Sequence, residues 1–302
     1  MSIAFLFPGQ GSQRVGMGQD LYEGSPAARA VFDQADDLLG FPLSAICFDG
    51  PEATLVDTVN QQPALFTTSM AALAVLRKQG WAEPDFVAGH SLGEFSALVA
   101  AGSLPFAEAL ALVRRRGELM KAAGEQEPGA MAALLALDVE TVRGLCDQAS
   151  DTAGRPVQVA NDNCPGQVVI SGDKAALEEA LALAETAGAR KIIRLPISIA
   201  AHSALMASAA ESFANLVDEI TIETPQIPVI ANVSARPLTT PDEIRSELKA
   251  QLTAAVAWTD SMNYLCHNGV DTFVEVGSGD VLLGLVKRIN RKAKRIKFEL
   301  EA

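Results

Sequence analysis

Gly89-His90-Ser91-Leu92-Gly93 sets a serine between glycines two places before and two after it, behind the apolar run Phe86-Val87-Ala88 and ahead of the helix-forming run from Glu94 to Ala100. In a strand-turn-helix this tight the serine is forced into strained backbone angles. Flanking glycines let the chain close around it, and the hydroxyl is lifted into a cleft. The helix that follows aims unpaired N–H groups at the point where a carbonyl oxygen turns negative during acyl transfer. A bare G-x-S-x-G also fits a solvated serine at an ordinary turn; the strand before it and the helix after it favour a nucleophile.

A nucleophilic serine needs a base, and the chain offers His90, His202 and His267. Neighbouring side chains on an elbow diverge, so His90 reads as a wall of the cleft. His267 sits in Cys266-His267-Asn268-Gly269 at an expected helix end, where histidines commonly meet terminal carbonyls. His202 follows a strand-like segment and precedes a helix expected from Ser203, in the kind of loop that carries ligands in open α/β sheets. A helix N-terminus there would disfavour the imidazolium and keep the ring able to accept a proton. No acid stands out as a third member, because Asp162 and Asp173 fall in a segment read as an insertion. The expectation is a Ser91-His202 dyad whose ring is held by a backbone carbonyl.

Arg116 follows Leu112 and Val113 by one helical turn and precedes Leu119 and Met120, so it falls within an apolar stripe, whereas Arg114 pairs with Glu118 at i, i+4 and faces solvent. A buried guanidinium must find an anion, and periodicity leaves open a structural carboxylate or one on the substrate. Phe7-Pro8-Gly9-Gln10-Gly11-Ser12-Gln13 is no nucleotide fingerprint, since Arg14 stands where G-x-G-x-x-G needs glycine, and Gly277 and Gly279 fail because residue 282 is leucine. The first loop is either a plain turn or a way to bring the Gln10 N–H close to the elbow.

Strand-like and helix-like segments alternate through residues 1–122, with helices expected at 26–40, 62–79, 93–101 and 106–123, which implies a mainly parallel sheet covered by helices. Residues 130–195 instead read β-α-β-β-α-β, the ferredoxin-like split unit, with 124–128 resembling a linker. The α/β pattern resumes after Pro196, with helices near 203–217, 242–252 and 261–268 and strands at 228–232 and 272–276. The expected organisation is therefore a catalytic core from 1–123 and 197–302, interrupted by a small lid at 124–196.

The 302 residues exceed the usual single core, and 49% hydrophobic with 20% charged residues is ordinary for a globular enzyme. No apolar stretch is long enough to cross a bilayer, and Ile3-Ala4-Phe5-Leu6-Phe7 lacks a basic leader and ends at Pro8-Gly9, so it reads as a buried strand. Cysteines at 47, 146, 164 and 266 show no C-x-x-C spacing and are expected as reduced thiols in the cytoplasm. A formal net charge of −13 argues against nucleic-acid binding, yet Lys287, Arg288, Arg291, Lys292, Lys294, Arg295 and Lys297 form a run without a negative charge. That run is either a solvated helix face or a docking patch for an acidic partner.

Taken with Gln62-Pro63-Ala64-Leu65, Arg116-Gly117, Pro165-Gly166-Gln167-Val168-Val169, Ala201-His202-Ser203 and Glu275-Val276-Gly277, the elbow and the first loop occur in an order that closely resembles the malonyl-CoA:acyl-carrier-protein transacylases of fatty acid synthesis, from residue 3 to about 290. The resemblance implies an α/β-hydrolase-like core with an inserted ferredoxin-like subdomain. It also implies Ser91 as nucleophile, His202 as base oriented by the main-chain carbonyl of Gln251, an oxyanion hole from the N–H groups of Gln10 and Leu92, and Arg116 on the malonyl carboxylate. The expected partners are malonyl-CoA and acyl carrier protein, with no metal, bound cofactor, nucleic acid or membrane, in a monomer. The family's carrier is acidic, which makes the 287–297 run and Arg190, Lys191 and Arg194 candidate contacts. Alanine at 201, where bacterial members often carry serine, bears on discrimination between malonyl and methylmalonyl. A serine acyl hydrolase of the same fold, a polyketide acyltransferase for another extender unit and a non-catalytic scaffold are the alternatives.

Overall fold

The computed structural model describes residues 2–300. In chain order the elements are β1 (Ser2–Phe7), α1 (Gln19–Gly24), α2 (Pro26–Leu39), α3 (Leu43–Asp49), α4 (Glu52–Leu55), α5 (Thr58–Lys78), β2 (Phe86–Gly89), α6 (Gly93–Ala100), α7 (Phe106–Gln126), β3 (Gly129–Leu135), α8 (Val139–Ala153), β4 (Val157–Cys164), β5 (Gln167–Asp173), α9 (Lys174–Thr186), β6 (Lys191–Arg194), a 3-10 turn (Ala204–Met206), α10 (Ala207–Glu219), β7 (Val229–Ile230), β8 (Pro237–Leu238), α11 (Pro241–Ala250), α12 (Trp258–His267), β9 (Val270–Glu275), α13 (Val281–Ile289) and β10 (Lys294–Lys297).

Six strands form one sheet in the order β10-β9-β1-β2-β7-β8, parallel except for the β7/β8 pair. Its centre is β1, whose Ala4 to Phe7 are all buried, as expected of a strand covered by helices on both faces. The other sheet, in the order β4-β5-β3-β6, is antiparallel and carries α8 and α9, the ferredoxin-like arrangement. This is an α/β-hydrolase-like core with a ferredoxin-like insertion. The largest apolar cluster runs through both, joining Phe5 and Phe95 with Met131, Ala133 and Val169.

Several elements depart from the sequence expectation for identifiable reasons. Helix α5 starts at Thr58 rather than at 62, capped by the Asp57 side chain on the Val59 N–H. It runs through Pro63 because the Val59 carbonyl, which Pro63 cannot serve, accepts from Arg114 Nη1 at 3.1 Å. Arg114 still pairs with Glu118 but is half-buried by that contact. The expected linker at 124–128 is largely helix, since α7 continues to Gln126. The basic run is no helix face throughout: it begins in the last turn of α13 and ends on the sheet-edge strand β10. Helices α1, α3, α4 and α13 and strands β8 and β10 have no counterpart in the sequence expectation.

Candidate active site

Three loops at the carboxyl ends of β1, β2 and β7 converge, where open parallel sheets place ligands. After β2 the chain turns at Ser91, whose φ of 50° lies in the left-handed region that a serine rarely adopts. A side-chain carbon at Gly93 would stand 2.1 Å from the Phe7 carbonyl oxygen, and one at Gly9 would stand 2.3 Å from that of His90. Only glycine lets the first loop lie this close to the elbow. Asn232, just past β7, holds the strained turn: its Oδ1 accepts the Ser91 N–H at 2.7 Å and its Nδ2 donates to the Gly89 carbonyl at 2.8 Å. The N–H groups of Gln10 and Leu92 find no acceptor among the described residues, and both residues border the cleft.

His202 Nε2 lies 2.8 Å from Ser91 Oγ. Its Nδ1 faces two main-chain oxygens, Gln251 at 2.8 Å and Ala254 at 3.1 Å. Carbonyls only accept, so Nδ1 carries the proton and Nε2 is left to accept from the serine. Gln158 Nε2 donates to the His202 and Thr253 carbonyls, steadying both sides of the ring's seat. Burial, and after it the Arg116 charge, pushes the His202 pKa down to about 3. The expected helix does follow, as the 3-10 turn runs straight into α10, but burial and the Arg116 charge are the leading causes of the shift. Asp162 meets Thr259 and Asp173 caps α9, so neither serves the ring.

Arg116, on α7, is 2% exposed. Its Nη1 donates to Gln62 Oε1 at 2.8 Å, and its Nη2 donates to Gln251 Oε1 at 2.9 Å and to Ser91 Oγ at 3.1 Å. Among the described residues no carboxylate lies within ion-pair distance and Nε has no partner. Every group touching this cation is neutral, so no structural carboxylate pairs with it directly, although Glu94 is near enough to favour its charged form. Burial lowers its pKa to about 10, so it remains charged at neutral pH.

A cleft of about 720 Å³ joins these groups, bordered by Gln10, Ser91, Leu92, Arg116 and His202 from the core and by Met131 and Asn161 from the insertion. His90 is a wall of it, with Nε2 2.8 Å from Asn163 Oδ1 and the ring against Trp258. Ala201 also borders it, while His267 is exposed at the end of α12. Thus Ser91, His202, Arg116, Gln10, Leu92 and the Gln251 carbonyl come together. Sequence reasoning did not single out Asn232 or the side chains of Gln62, Glu94 and Gln251. Gln62 and Glu94 stood inside quoted motifs, whereas Asn232 lies past a two-residue strand with no pattern of its own.

The family described as an acyl transferase domain matches residues 4–299. The chain is 49% identical over 294 residues to the malonyl CoA-acyl carrier protein transacylase of Bacillus subtilis (strain 168), covering 97% of this chain and 92% of the relative. It is 44% identical over 287 residues to the protein of the same name in Escherichia coli (strain K12), covering 95% and 92%. The solved malonyl CoA-acyl carrier protein transacylase from Coxiella burnetii superposes with a TM-score of 0.96 at 39% identity, covering 98% of this chain and 93% of that one. A malonyl-transacylase solved in complex with a type II PKS acyl-carrier protein gives 0.96 at 39% identity, covering 99% and 96%.

Proposed function

From the premise that the chain belongs to the acyl transferase family, among its malonyl CoA-acyl carrier protein transacylases, we propose that it moves malonyl from malonyl-CoA to the phosphopantetheine thiol of acyl carrier protein through a malonyl-Ser91 ester. The observation that carries this reading is the meeting of Ser91 Oγ with His202 Nε2 at 2.8 Å and with the buried, carboxylate-free Arg116 at 3.1 Å.

His202 Nε2 takes the Ser91 proton as Oγ attacks the thioester carbonyl. The oxyanion sits on the N–H groups of Gln10 and Leu92, each worth about 2.7–4 kcal/mol of barrier reduction. The imidazolium returns its proton to the departing coenzyme A sulfur. The carrier's thiol then enters, gives its proton to Nε2 and attacks the ester, and the imidazolium returns that proton to the departing Ser91 oxygen. Arg116 holds the malonyl carboxylate, and the Gln251 carbonyl keeps the ring in its working tautomer. Every group in this cycle comes from one chain, which supports action as a monomer; CoA thioesters and four free cysteines fit the cytoplasm.

Intact-mass measurement after mixing with malonyl-CoA, acetyl-CoA and methylmalonyl-CoA tests the reading. Expected is a malonyl adduct that Ser91→Ala abolishes and that a thiol acceptor discharges far faster than water does. Rapid discharge by water would make the protein a hydrolase. For docking of the acidic carrier, Arg288 is tied to Gln167 and the Pro165 and Gly166 carbonyls, and Arg194 to Glu178. The exposed Lys287, Arg291, Lys292 and Lys294 are the better candidates. Reversing their charge raises the carrier's KM and flattens its salt dependence if they dock it; an unchanged KM removes them.

A further inference from the structure

Glu94, the second residue of α6, is fully buried and takes no part in the cycle above. Its Oε1 accepts the Asn232 N–H at 2.9 Å and its Oε2 accepts from Gln251 Nε2. Gln251 in turn donates from Nε2 to the Ser91 carbonyl at 3.1 Å and offers Oε1 to Arg116. The Gln251 amide therefore stands between two carbonyl-type acceptors on one side and a guanidinium on the other, and only one of its two orientations satisfies all three. Resting on the function proposed above, we propose that Glu94 is a positioning residue for dicarboxylic acyl thioesters: it locks the Gln251 amide oxygen toward Arg116, and so fixes the guanidinium that receives the acyl carboxylate.

The polarity of Glu94, rather than its shape, does this. Both of its oxygens meet N–H donors, so an amide in its place must set an NH2 against either Asn232 or Gln251. A flipped Gln251 would turn its own NH2 toward Arg116, and a donor facing a guanidinium cannot hold it. Charge acts beside polarity, since a Glu94 carboxylate also favours the charged form of Arg116. Burial, and after it repulsion from the neighbouring Glu247, raises the Glu94 carboxyl, and burial raises that of Glu247, yet both Glu94 oxygens are placed as acceptors.

The test compares the wild type with Glu94→Gln, Glu94→Asp and Arg116→Ala for acylation by malonyl-CoA, by acetyl-CoA and by a fluorophosphonate that has no carboxylate. Glu94→Gln is expected to lower the malonyl-to-acetyl ratio of kcat/KM about tenfold, through the malonyl KM, while fluorophosphonate labelling falls no more than about threefold. Glu94→Asp, which disturbs the packing more but keeps two acceptor oxygens, is expected to retain more of the ratio than Glu94→Gln. The ratio does not depend on the folded fraction of a variant. An unchanged ratio in Glu94→Gln overturns the proposal, as does a parallel loss with all three reagents or a better ratio in glutamine than in aspartate. An unchanged ratio in Arg116→Ala would instead overturn the role of Arg116 in the reading on which it rests.

Discussion

The Arg116 cation bears on the chemistry of His202 as well as on its own contacts. No carboxylate touches the guanidinium, though Glu94 favours its charge from one side chain away, and in the proposed reaction the acyl carboxylate would pair with it. Arg116→Ala is expected to weaken malonyl transfer by about 2–5 kcal/mol in kcat/KM and to leave acetyl transfer much less affected; equal losses in a side-by-side assay would remove Arg116 from recognition. The same cation, after burial, holds His202 at about 3, so the free enzyme keeps a neutral base down to mildly acid pH. The acid limb of kcat/KM is therefore expected well below the ordinary histidine value of about 6.5. Because the guanidinium opposes the imidazolium, Arg116→Ala raises the His202 pKa and moves that limb up. A wild-type limb near 6.5 in a pH–rate profile would contradict this. Of the residues here, the glycine-flanked serine and the arginine on an apolar stripe were legible as types in a pattern; Asn232, which holds the elbow, was not, because its role depends only on where β7 ends.

At the scale of elements, the junction of β9 and α13 has a titration of its own. Glu275 closes β9, is fully buried, and accepts the first-turn N–H groups of Leu282 at 3.2 Å and Leu283 at 2.9 Å. Burial nonetheless raises its pKa from 4.5 to about 7. The folded state thus binds a proton that the unfolded chain has released, and this contribution is complete below pH 4.5 and lost as pH rises through 7. His202 works in the opposite sense, since it stays neutral when folded and its contribution is lost as pH falls from 6.5 toward 3. Glu275→Gln is expected to cost about 1–3 kcal/mol in urea unfolding at pH 5, and the cost should shrink as the pH is raised to 7. A cost that grows over that range would reverse the assignment. The order of the longer elements was legible from hydrophobic periodicity, but α13 and the short helices were not, nor were helix ends, because α5 survives Pro63 through a side chain 51 residues further along the chain at Arg114.

At the scale of the whole molecule, the insertion is bonded to the core rather than resting on it. The Val256 N–H donates to Ala160 and the Asp162 N–H to Val256, both at 2.9 Å, so β4 runs beside the segment whose carbonyls hold His202. The largest apolar cluster crosses between the sheets. Both facts predict one cooperative transition. Trp81 and Trp258 belong to core segments of the chain, so tryptophan fluorescence weights the core, whereas far-UV circular dichroism reports both sheets; the two signals are expected to melt together, and separated midpoints would show the insertion unfolding by itself. The sequence by itself determined the elbow, the order of the longer elements and the ferredoxin-like insertion, because these are written in local spacing and periodicity, and its ordered motifs carried the resemblance to the family. Only the tertiary structure decided that Arg116 touches no carboxylate, that two carbonyls stand behind His202, and that Glu94 and Asn232 meet Gln251 and the elbow. Those contacts join residues up to 160 positions apart, between Ser91 and Gln251, and no local pattern records which side chains the packing of β2, β7, α7 and α11 will bring together.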